Sequence, residues 1–318
     1  MTDELHKMLA QQLARGGLDE RTPPGVEAWA ELLQHISRAY TDAEQDRDQI
    51  ERALERSSAE MAELHRGLSE ERDRLQRELV IATVVQTSLL PTEHDGGHYE
   101  IAGTLHPATE VGGDYYDVVH LGDTCWLAIG DVAGHGLRTA LIMLMVQAIV
   151  SATVRTSPAP PPSEVLAIVN RALWNNVRVR LESDEHMTCT LLRCEADGRV
   201  LHAGAHEDLV ICRASGGPCE TIETRGSWLG AIPDIVGKNP EAELRLTPGD
   251  LLVLYTDGVT EARNAERAQF GLDRLTDVVE RHRGAPVRRV RDAIFEAVEA
   301  WGPQDDDVTV VVARYRAT

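Results

Sequence analysis

The sequence predicts an α+β fold, in which a β-sandwich flanked by helices follows an N-terminal helical and coiled-coil segment. Apolar runs separated by Gly-Asp or Asp-Gly are typical of antiparallel hairpins. The helical patterns are few and stand apart from the strands, whereas a parallel sheet needs strands and helices to alternate. Residues 42–90 contain no proline and a single glycine, which predicts a long helix ahead of the sandwich.

The charge balance excludes two classes of partner. The chain of 318 residues carries 52 acidic against 32 basic side chains, a formal net charge of −20. Nucleic acids and anionic membrane surfaces both require a basic face, so we expect neither as a partner. Hydrophobic residues make up 42% of the chain and aromatic residues 4%, which predicts a folded protein with an aliphatic core.

Cysteine usage and the absence of targeting patterns predict a cytoplasmic protein. There are five cysteines, none of them in a CxxC pair, which fits a reducing compartment better than a disulfide framework or a zinc cluster. The N-terminus lacks the basic-then-apolar pattern of a secretion signal. The longest apolar run, residues 140–150, is shorter than the ~20 residues needed to span a bilayer, so it predicts a buried helix.

Residues 1–41 form the first predicted segment, which contains two short helices. Leu5 and Leu13 bound a run with helical spacing, and Gly16-Gly17 ends it. Thr22-Pro23-Pro24 is typical of the start of a second helix. No catalytic motif is present in this segment.

Residues 42–91 form the second predicted segment, a coiled coil that ends at Pro91. Apolar positions follow alternating four- and three-residue steps, and the rhythm restarts in a different register at Leu75. The narrow seam with charged flanks favours a parallel homodimer through residues 42–90. The alternative is one solvated helix that packs against the next domain.

Residues 92–318 form the third predicted segment, with hairpins and separate helices. A strand is expected at 98–106, followed by two strands around the Gly122-Asp123 turn. The remaining expected elements are a helix at 135–155, a rigid loop at 158–162, a helix capped by Ser163 and running to about 178, strands at 187–195, 198–204 and 207–213, an edge strand at 241–247, the strand LLVLYT, helices at 271–282 and 286–300, and a last strand from 308.

Four acidic motifs of one design carry the chemistry. Each places an Asp at the end of an apolar strand, three of them with glycine close by: Gly112-Gly113-Asp114, Gly130-Asp131, Asp257-Gly258 and Asp305-Asp306-Asp307. One such Asp alone is more often a turn residue than a ligand. Several carboxylates brought together repel one another, and a hard divalent cation such as Mg²⁺ or Mn²⁺ removes that repulsion. The turn GDVAGHG matches neither the Walker pattern nor GxGxxG.

In order and spacing, these motifs resemble a known family. The set GGDYYD, GDVAGHG, YTDGVTEA and DDDVT, preceded by QTSLLP, is similar to the bacterial SpoIIE/RsbU-type serine/threonine phosphatases. These are a branch of the metal-dependent type 2C protein phosphatases. The resemblance covers about residues 84–316 and implies a four-layer α-β-β-α sandwich.

The resemblance also implies a role for each acid in holding two divalent cations, Mn²⁺ or Mg²⁺. Asp114 would bind the second metal, Asp131 would bridge both metals, and the backbone carbonyl of Val132 would bind the first. Asp257 and one Asp of the run at 305–307 would complete the second site.

Four residues in or near these motifs have open roles. Within the acidic run, Asp306 occupies the ligand position of the family's DD(M/V)T motif, and Asp307 is the alternative. Asp117 is expected to support the ligands. His135 is expected near the metals. The alternative is that it is a helix N-terminal residue without a chemical role.

The resemblance implies hydrolysis of a phosphoserine or phosphothreonine by a metal-activated water, without a covalent enzyme intermediate. No arginine lies between Arg77 and Arg138, so phosphate recognition is expected to rest on metals and backbone. The expected substrate is a phosphorylated STAS-type anti-sigma-factor antagonist, with an upstream protein activator acting through the helical dimer. The alternatives are a non-catalytic dimeric adaptor and a hydrolase of small phosphoesters.

Overall fold

The computed structural model describes residues 7–18, 25–91, 93–108, 111–156 and 160–317. Predictions that involve Leu5, Thr22-Pro23-Pro24 and Pro158 lie outside these residues. The chain divides into two compact units, Met1–Leu75 and Gln76–Thr318.

The N-terminal part contains two helices, and the second is far longer than the sequence suggested. Helix α1 spans Lys7–Arg15 and ends before Gly16-Gly17, as predicted. Helix α2 spans Val26–Leu89, 64 residues without interruption. The prediction of a short second helix that is separate from the coiled coil is therefore wrong. Residues 25–41 and 42–90 are joined because neither proline nor a paired glycine separates them, and Gly67 alone is tolerated within a helix.

The unit Gln76–Thr318 contains two antiparallel sheets. The first has the strand order β1-β2-β11-β10-β7-β8 and the second has the order β3-β4-β5-β6-β9. The strands are β1 Glu93–Gly96, β2 Tyr99–His106, β3 Asp114–Leu121, β4 Thr124–Val132, β5 Met187–Cys194, β6 Arg199–Ala205, β7 Leu209–Cys212, β8 Glu220–Ile222, β9 Ala242–Arg245, β10 Leu251–Tyr255 and β11 Val308–Tyr315. The predicted α+β sandwich is confirmed.

Helices cover both outer faces of the sheets and complete the four layers. Helices α3 and α4 contact strands of the second sheet, whereas α6 and α7 contact strands of the first. The helices are α3 Leu137–Val154, α4 Pro162–Leu173, α5 Asp257–Thr260, α6 Gly271–His282 and α7 Val287–Trp301, and a π-helical segment, Trp174–Arg180, follows α4.

Alternation along the strands separates two apolar cores. Tyr116 and Ile129 point into the core between the two sheets. Their neighbours Tyr115 and Ala128 point into the core beneath α3 and α4. Because successive side chains of a strand point to opposite faces, a residue's position fixes which core it enters.

Helix α3 was predicted as a buried helix, and it packs against the second sheet. By length and apolar composition alone it is also a candidate to cross a membrane. Ile142, Met143, Val146 and Val150 are buried in the core beneath α3 and α4. The helix therefore serves as a core helix of the sandwich.

The start and end of α4 differ from the prediction. Pro161 occupies the cap position, and Pro162 is the first helical residue. The Ser163 hydroxyl instead donates a hydrogen bond to Glu241 Oε1 at 2.8 Å. A proline suits the first helical turn because the missing N–H has no intrahelical partner there. Strands β1 and β8 were not predicted because runs of three or four residues carry too little periodicity.

Candidate metal centre

The four predicted ligand carboxylates lie at the same end of the sandwich. Asp114 begins β3 and Asp131 lies near the end of β4, and the two residues are direct cross-strand partners. Asp257 follows β10, and Asp306 precedes β11. Strands β10 and β11 are antiparallel neighbours, so the end of one adjoins the start of the other. The two sheets each contribute two acids.

Asp114 points between the sheets, where two threonines of the opposite sheet hold its carboxylate. Thr256 and Thr309 donate hydroxyl hydrogen bonds to Asp114 Oδ2 at 2.8 and 2.6 Å. The Thr309 N–H donates to Thr256 Oγ1 at 3.0 Å, which fixes the two threonines relative to each other. Asp114 is only 1% exposed. This network ties the start of β3 in the second sheet to β11 and the end of β10 in the first sheet.

Burial and like charge act together on the acids. Burial raises the pKa of Asp114 well above its ordinary value, and the Asp131 carboxylate raises it further, against the two threonine hydrogen bonds. Burial, followed by the charges of Asp257 and Asp306, raises the pKa of Asp131 to about 7. Burial, Asp306 and Glu261 likewise raise the pKa of Asp257. Ionising all of these groups is unfavourable without a compensating positive charge.

The donor set fits hard divalent cations that keep water ligands. In the described ranges, no three His, Cys, Asp or Glu side chains are arranged so that they alone could hold a metal ion. Mg²⁺ typically keeps several waters and binds through only one or two carboxylates. The repelling carboxylates therefore supply a suitable charge, and an all-oxygen set, for ions that are partly coordinated by water.

Asp306 and Asp307 have different surroundings, which bears on the alternative left open by the sequence. Asp307 Oδ1 accepts the Ala108 N–H at 2.8 Å, and Oδ2 accepts the Gly113 N–H at 2.8 Å. Asp306 Oδ1 accepts only a local bond, from the Asp307 N–H at 2.8 Å. Asp306 contributes to the raised pKa of Asp131 and Asp257, and Asp307 contributes to that of Asp131 and Asp114. The hydrogen bonds separate the two acids, since Asp307 holds the loop before Asp114 and Asp306 does not.

Close packing explains why two glycines precede Asp114. A Cβ atom on Gly112 would lie 2.2 Å from Asp307 Oδ2, and one on Gly113 would lie 2.8 Å from the Val132 carbonyl oxygen. Both distances are too short for any side chain. The pair therefore lets this loop lie directly between the Asp307 carboxylate and the Val132 carbonyl.

Gln86, near the end of α2, contacts the same loop. Its side chain is 1% exposed. Gln86 Nε2 donates to the Gly112 carbonyl at 2.8 Å, and Gln86 Oε1 accepts the Gly112 N–H at 3.3 Å. Gln86 follows the four- and three-residue steps that restart at Leu75, so its position predicted a place in the helical seam but not this contact. A polar residue at a seam position, just before LLP, was the available signal.

His206 joins the two sheets beside the centre and was also missed. Its ring lies 3.1 Å from the Tyr255 carbonyl oxygen through Nε2 and 2.9 Å from Thr188 Oγ1 through Nδ1. Burial lowers the pKa of His206 to about 4, so the ring is neutral. Because a carbonyl can only accept, Nε2 carries the proton and Nδ1 accepts the Thr188 hydroxyl. Thr188 is the cross-strand partner of Asp131, and Tyr255 lies two residues before Asp257.

Asp117 lies on the opposite face of β3 from Asp114, whereas His135 lies in the loop that follows Asp131. Asp117 shares the α3-facing side of β3 with Tyr115, and its Oδ2 accepts from Gln147 Nε2 of α3 at 3.4 Å. His135 is exposed. It lies in the GDVAGHG loop, where Gly134 and Gly136 have φ of 109° and 91°, values that favour glycine.

A cleft of about 480 Å³ opens beside that loop. It is lined by Ala133, Gly134, His135, Arg138, Thr139, Asp184, Glu185 and His186. Arg138 lies within the cleft and pairs with Glu185 at 3.2 Å, and its side chain is 67% exposed. The cleft thus combines a cationic side chain with the residues that directly follow Asp131 and Val132.

Comparisons with known proteins agree with this geometry. The model of the Stage II sporulation protein E (SpoIIE) family matches residues 122–316. Phosphoserine phosphatase RsbU of Bacillus subtilis (strain 168) is 29% identical over 258 residues, which cover 78% of this chain and 72% of RsbU.

Solved structures of other proteins show the same fold. The SiaA-PP2C domain of Pseudomonas aeruginosa superposes with a TM-score of 0.66 at 22% identity, over 77% of this chain and 98% of that domain. RsbX, solved in complex with magnesium, superposes with a TM-score of 0.52 at 12% identity, over 70% of this chain and 98% of RsbX. Since the family model covers more than half of the chain, this protein belongs to the SpoIIE family and is a serine/threonine phosphatase of the SpoIIE/RsbU type with the PP2C fold.

Proposed function

We propose that this phosphatase removes phosphate from a phosphoserine or phosphothreonine of a regulatory protein, using water activated between two divalent cations. The observation that carries the proposal is the acidic cluster, in which carboxylates from both sheets meet in a partly buried site. Burial and then like charge raise the pKa of Asp114, Asp131 and Asp257, a cost of ionisation that bound cations would relieve. RsbU, with a similar sequence, is named a phosphoserine phosphatase.

The proposed ligands are Asp114, Asp131, Asp257, Asp306 and the backbone carbonyl of Val132. When bound, Mn²⁺ or Mg²⁺ would lower the pKa of a coordinated water and offset charge on the phosphoryl oxygens. RsbX, which shares the fold, was solved with magnesium. The donor set does not discriminate between the two ions, because both prefer oxygen ligands.

The rest of the site holds these ligands in position. Thr256 and Thr309 orient the Asp114 carboxylate, while Asp307 fixes the backbone that leads into Asp114. His206 connects Thr188 of β5, the cross-strand partner of Asp131, to the Tyr255 carbonyl two residues before Asp257. Such prior positioning matters because a misplacement of about 1 Å can cost roughly a hundredfold in rate.

The cleft beside the GDVAGHG loop is the proposed entrance for the phosphorylated segment. Arg138 lies in this cleft and could exchange Glu185 for a substrate phosphate, a departure from the expectation that recognition rests on metals and backbone. By resemblance, the substrate class is a STAS-type anti-sigma-factor antagonist. The protein is proposed to be cytoplasmic.

The α2 helix is the proposed dimer and signalling arm. Ile50, Leu54 and Leu64 follow the coiled-coil spacing and are 67%, 69% and 65% exposed. A parallel homodimer through residues 42–90 would cover this stripe. An upstream protein activator would alter the helix, and the Gln86–Gly112 contact offers a route to the metal loop.

A metal-dependent activity assay tests the proposal. Wild-type protein with Mn²⁺ should hydrolyse p-nitrophenyl phosphate and a phosphoserine peptide, and Asp131→Asn should reduce both rates by at least about a hundredfold. Asp117→Asn is the matched control, since this buried acid lies on the opposite face and should retain activity. Absence of metal-dependent turnover in the wild type would contradict the proposal and leave the dimeric adaptor as the better reading. Hydrolysis of p-nitrophenyl phosphate but not of the phosphoserine peptide would favour a small-phosphoester hydrolase.

A further inference from the structure

Cys212 and Cys219 face each other across the β7–β8 hairpin. Ile211 pairs with Glu220 in the antiparallel register. Continuing that register by one residue toward the turn pairs Cys212 with Cys219. Residues directly opposite each other in such strands have Cα atoms about 4.5–5.5 Å apart, within the range that a disulfide spans. Both thiols are free in the structure.

Charged groups of α6 and the residue after it surround this pair. Arg283 Nε donates a hydrogen bond to Cys212 Sγ at 3.1 Å, and Glu280 Oε1 accepts the Cys219 N–H at 2.6 Å. A neighbouring guanidinium favours the thiolate, which is the reactive form of cysteine. The Cys219 hydrogen bond and then Arg283 lower the pKa of Cys212 to about 7, against its burial and the Glu280 charge. Cys219 is partly exposed, so a small oxidant can reach the pair.

A second cross-strand pair in the same chain provides a natural comparison. Cys125 of β4 lies directly opposite Cys194 of β5. Both are buried, and burial raises the pKa of each thiol. The Cys125 sulfur lies 3.6 Å from the His120 ring, and the hydrogen bonds described for the pair include none from arginine. The two pairs therefore share strand geometry and differ in accessibility and charge.

We propose that Cys212 and Cys219 form a redox-active dithiol that hydrogen peroxide converts into a cross-strand disulfide. The pair shares one proton, which Cys219 keeps, so Cys212 beside the Arg283 guanidinium reacts as the thiolate. The Cys212 sulfur attacks one peroxide oxygen, the O–O bond breaks, and hydroxide leaves to take up a proton from solvent. The product at Cys212 is a sulfenic acid.

Closure to the disulfide follows within the hairpin. Cys219 loses its proton to solvent, and its sulfur attacks the Cys212 sulfur. The S–O bond breaks, and hydroxide leaves as water after protonation. In total, two thiols and one hydrogen peroxide give one disulfide and two waters, so the two electrons lost by the sulfurs reduce the peroxide.

Differential alkylation with mass spectrometry tests this on the full-length reduced protein. After a brief peroxide pulse, we expect Cys212 and Cys219 to be protected from alkylation and joined in one cross-linked peptide pair that lacks two hydrogens. Cys125, Cys189 and Cys194 should remain fully alkylated once the protein is unfolded. Equal or faster oxidation of Cys125 and Cys194 would overturn the proposal, as would sulfinic acid at either cysteine of the hairpin without the cross-link.

Substitution of Arg283 tests whether its positive charge makes the cysteine pair reactive. Arg283→Gln removes the positive charge while keeping a hydrogen-bonding side chain, and we expect disulfide formation at pH 7 to slow by up to about 15-fold, the change in thiolate fraction between a pKa of about 7 and an ordinary cysteine. An unchanged rate would contradict the role of Arg283.

The wild-type pH profile gives a second measurement that needs no variant. The oxidation rate should rise about tenfold from pH 6 to 8 and then level off, whereas an ordinary thiol would continue to rise steeply. A rate that still rises steeply above pH 8 would overturn the proposal. Neither readout depends on phosphatase activity, so failure of the proposed function would leave this test intact.

Discussion

Asp306 and Asp307 are adjacent, yet Asn substitutions at the two positions should have opposite effects. Asp307 accepts two backbone N–H groups, from Ala108 and Gly113. An Asn can accept only one of them, and its amide would then face the other donor. Hydrogen bonds to a charged acceptor contribute about 1.5–3 kcal/mol each, so Asp307→Asn should lower the free energy of unfolding by about 3 kcal/mol. For a domain of this size that is a fall in Tm of about 6–12 °C.

Asp306→Asn should behave differently because its carboxylate makes one local bond, which an Asn can keep. Loss of its charge removes repulsion from Asp131 and Asp257, so without metal the stability should be unchanged or up to about 1 kcal/mol higher. Loss of an anionic ligand should cost about 3 kcal/mol of transition-state stabilisation, a hundredfold in rate.

Thermal unfolding without metal and phosphatase rates with saturating Mn²⁺ separate the two roles. We expect a stable but inactive Asp306→Asn protein and an unstable Asp307→Asn protein whose rate, measured below its Tm, falls less than that of Asp306→Asn. The reverse pattern would refute this expectation and make Asp307 the ligand. Equal losses of stability in both variants would refute the assignment of the backbone-holding role to Asp307 alone.

Three further predictions follow from the contacts around the centre. Gln86→Ala leaves the buried N–H and C=O of Gly112 without partners, so a Mn²⁺ titration should show weaker activation than in wild type. The exposed Gln76→Ala is its control, and equal activation of the two variants would count against the coupling. The pKa of His206 is about 4 in the folded protein, against an ordinary value of 6.5. Between these two pH values the unfolded state therefore binds more protons than the folded state, so the free energy of unfolding falls as the pH drops below 6.5. Chemical unfolding should show about 2 kcal/mol of this loss at pH 5, and His206→Gln should abolish it; an unchanged pH slope would rule out His206 as the source. Deleting residues 1–70 should convert a dimer into a monomer in light scattering and change the activity, and a truncated protein that matches the full chain in both would contradict the proposed arm.

The strands that position the centre could be predicted because each has a strong local pattern. WLAIGD and LLVLYTD are continuous apolar runs that end in an acid, and both runs proved to be buried strands followed by site residues. The start of α4 was less predictable because Ser163 resembles a capping residue, whereas a distant partner, Glu241, accepts its hydroxyl. The unbroken α2 was missed because the change in composition after Thr41 resembled a boundary, although helix formers continue across it.

Site residues could be predicted by type but not by contact. The strand-end acids stand out because of their turns and glycines. Thr309 and His206 do not, since their partners, Asp114 and Tyr255, are far away in sequence. The different surroundings of Asp306 and Asp307 depend on the close approach of a loop near residue 112, which no local pattern encodes.

The contact between Gln86 and Gly112 also has a thermodynamic consequence. In the proposed site, metal binding by Asp114 requires the preceding loop to be in place, and Gln86 holds that loop through both backbone groups of Gly112. If the arm of α2 controls the position of Gln86, then it controls metal affinity, and linkage requires metal binding to stabilise the end of α2 by the same free energy. Hydrogen exchange of the backbone around residues 80–89 should therefore slow when Mn²⁺ is added to the wild type. The same addition should have a smaller effect in Gln86→Ala, and an equal effect would show that the loop and the helix respond independently.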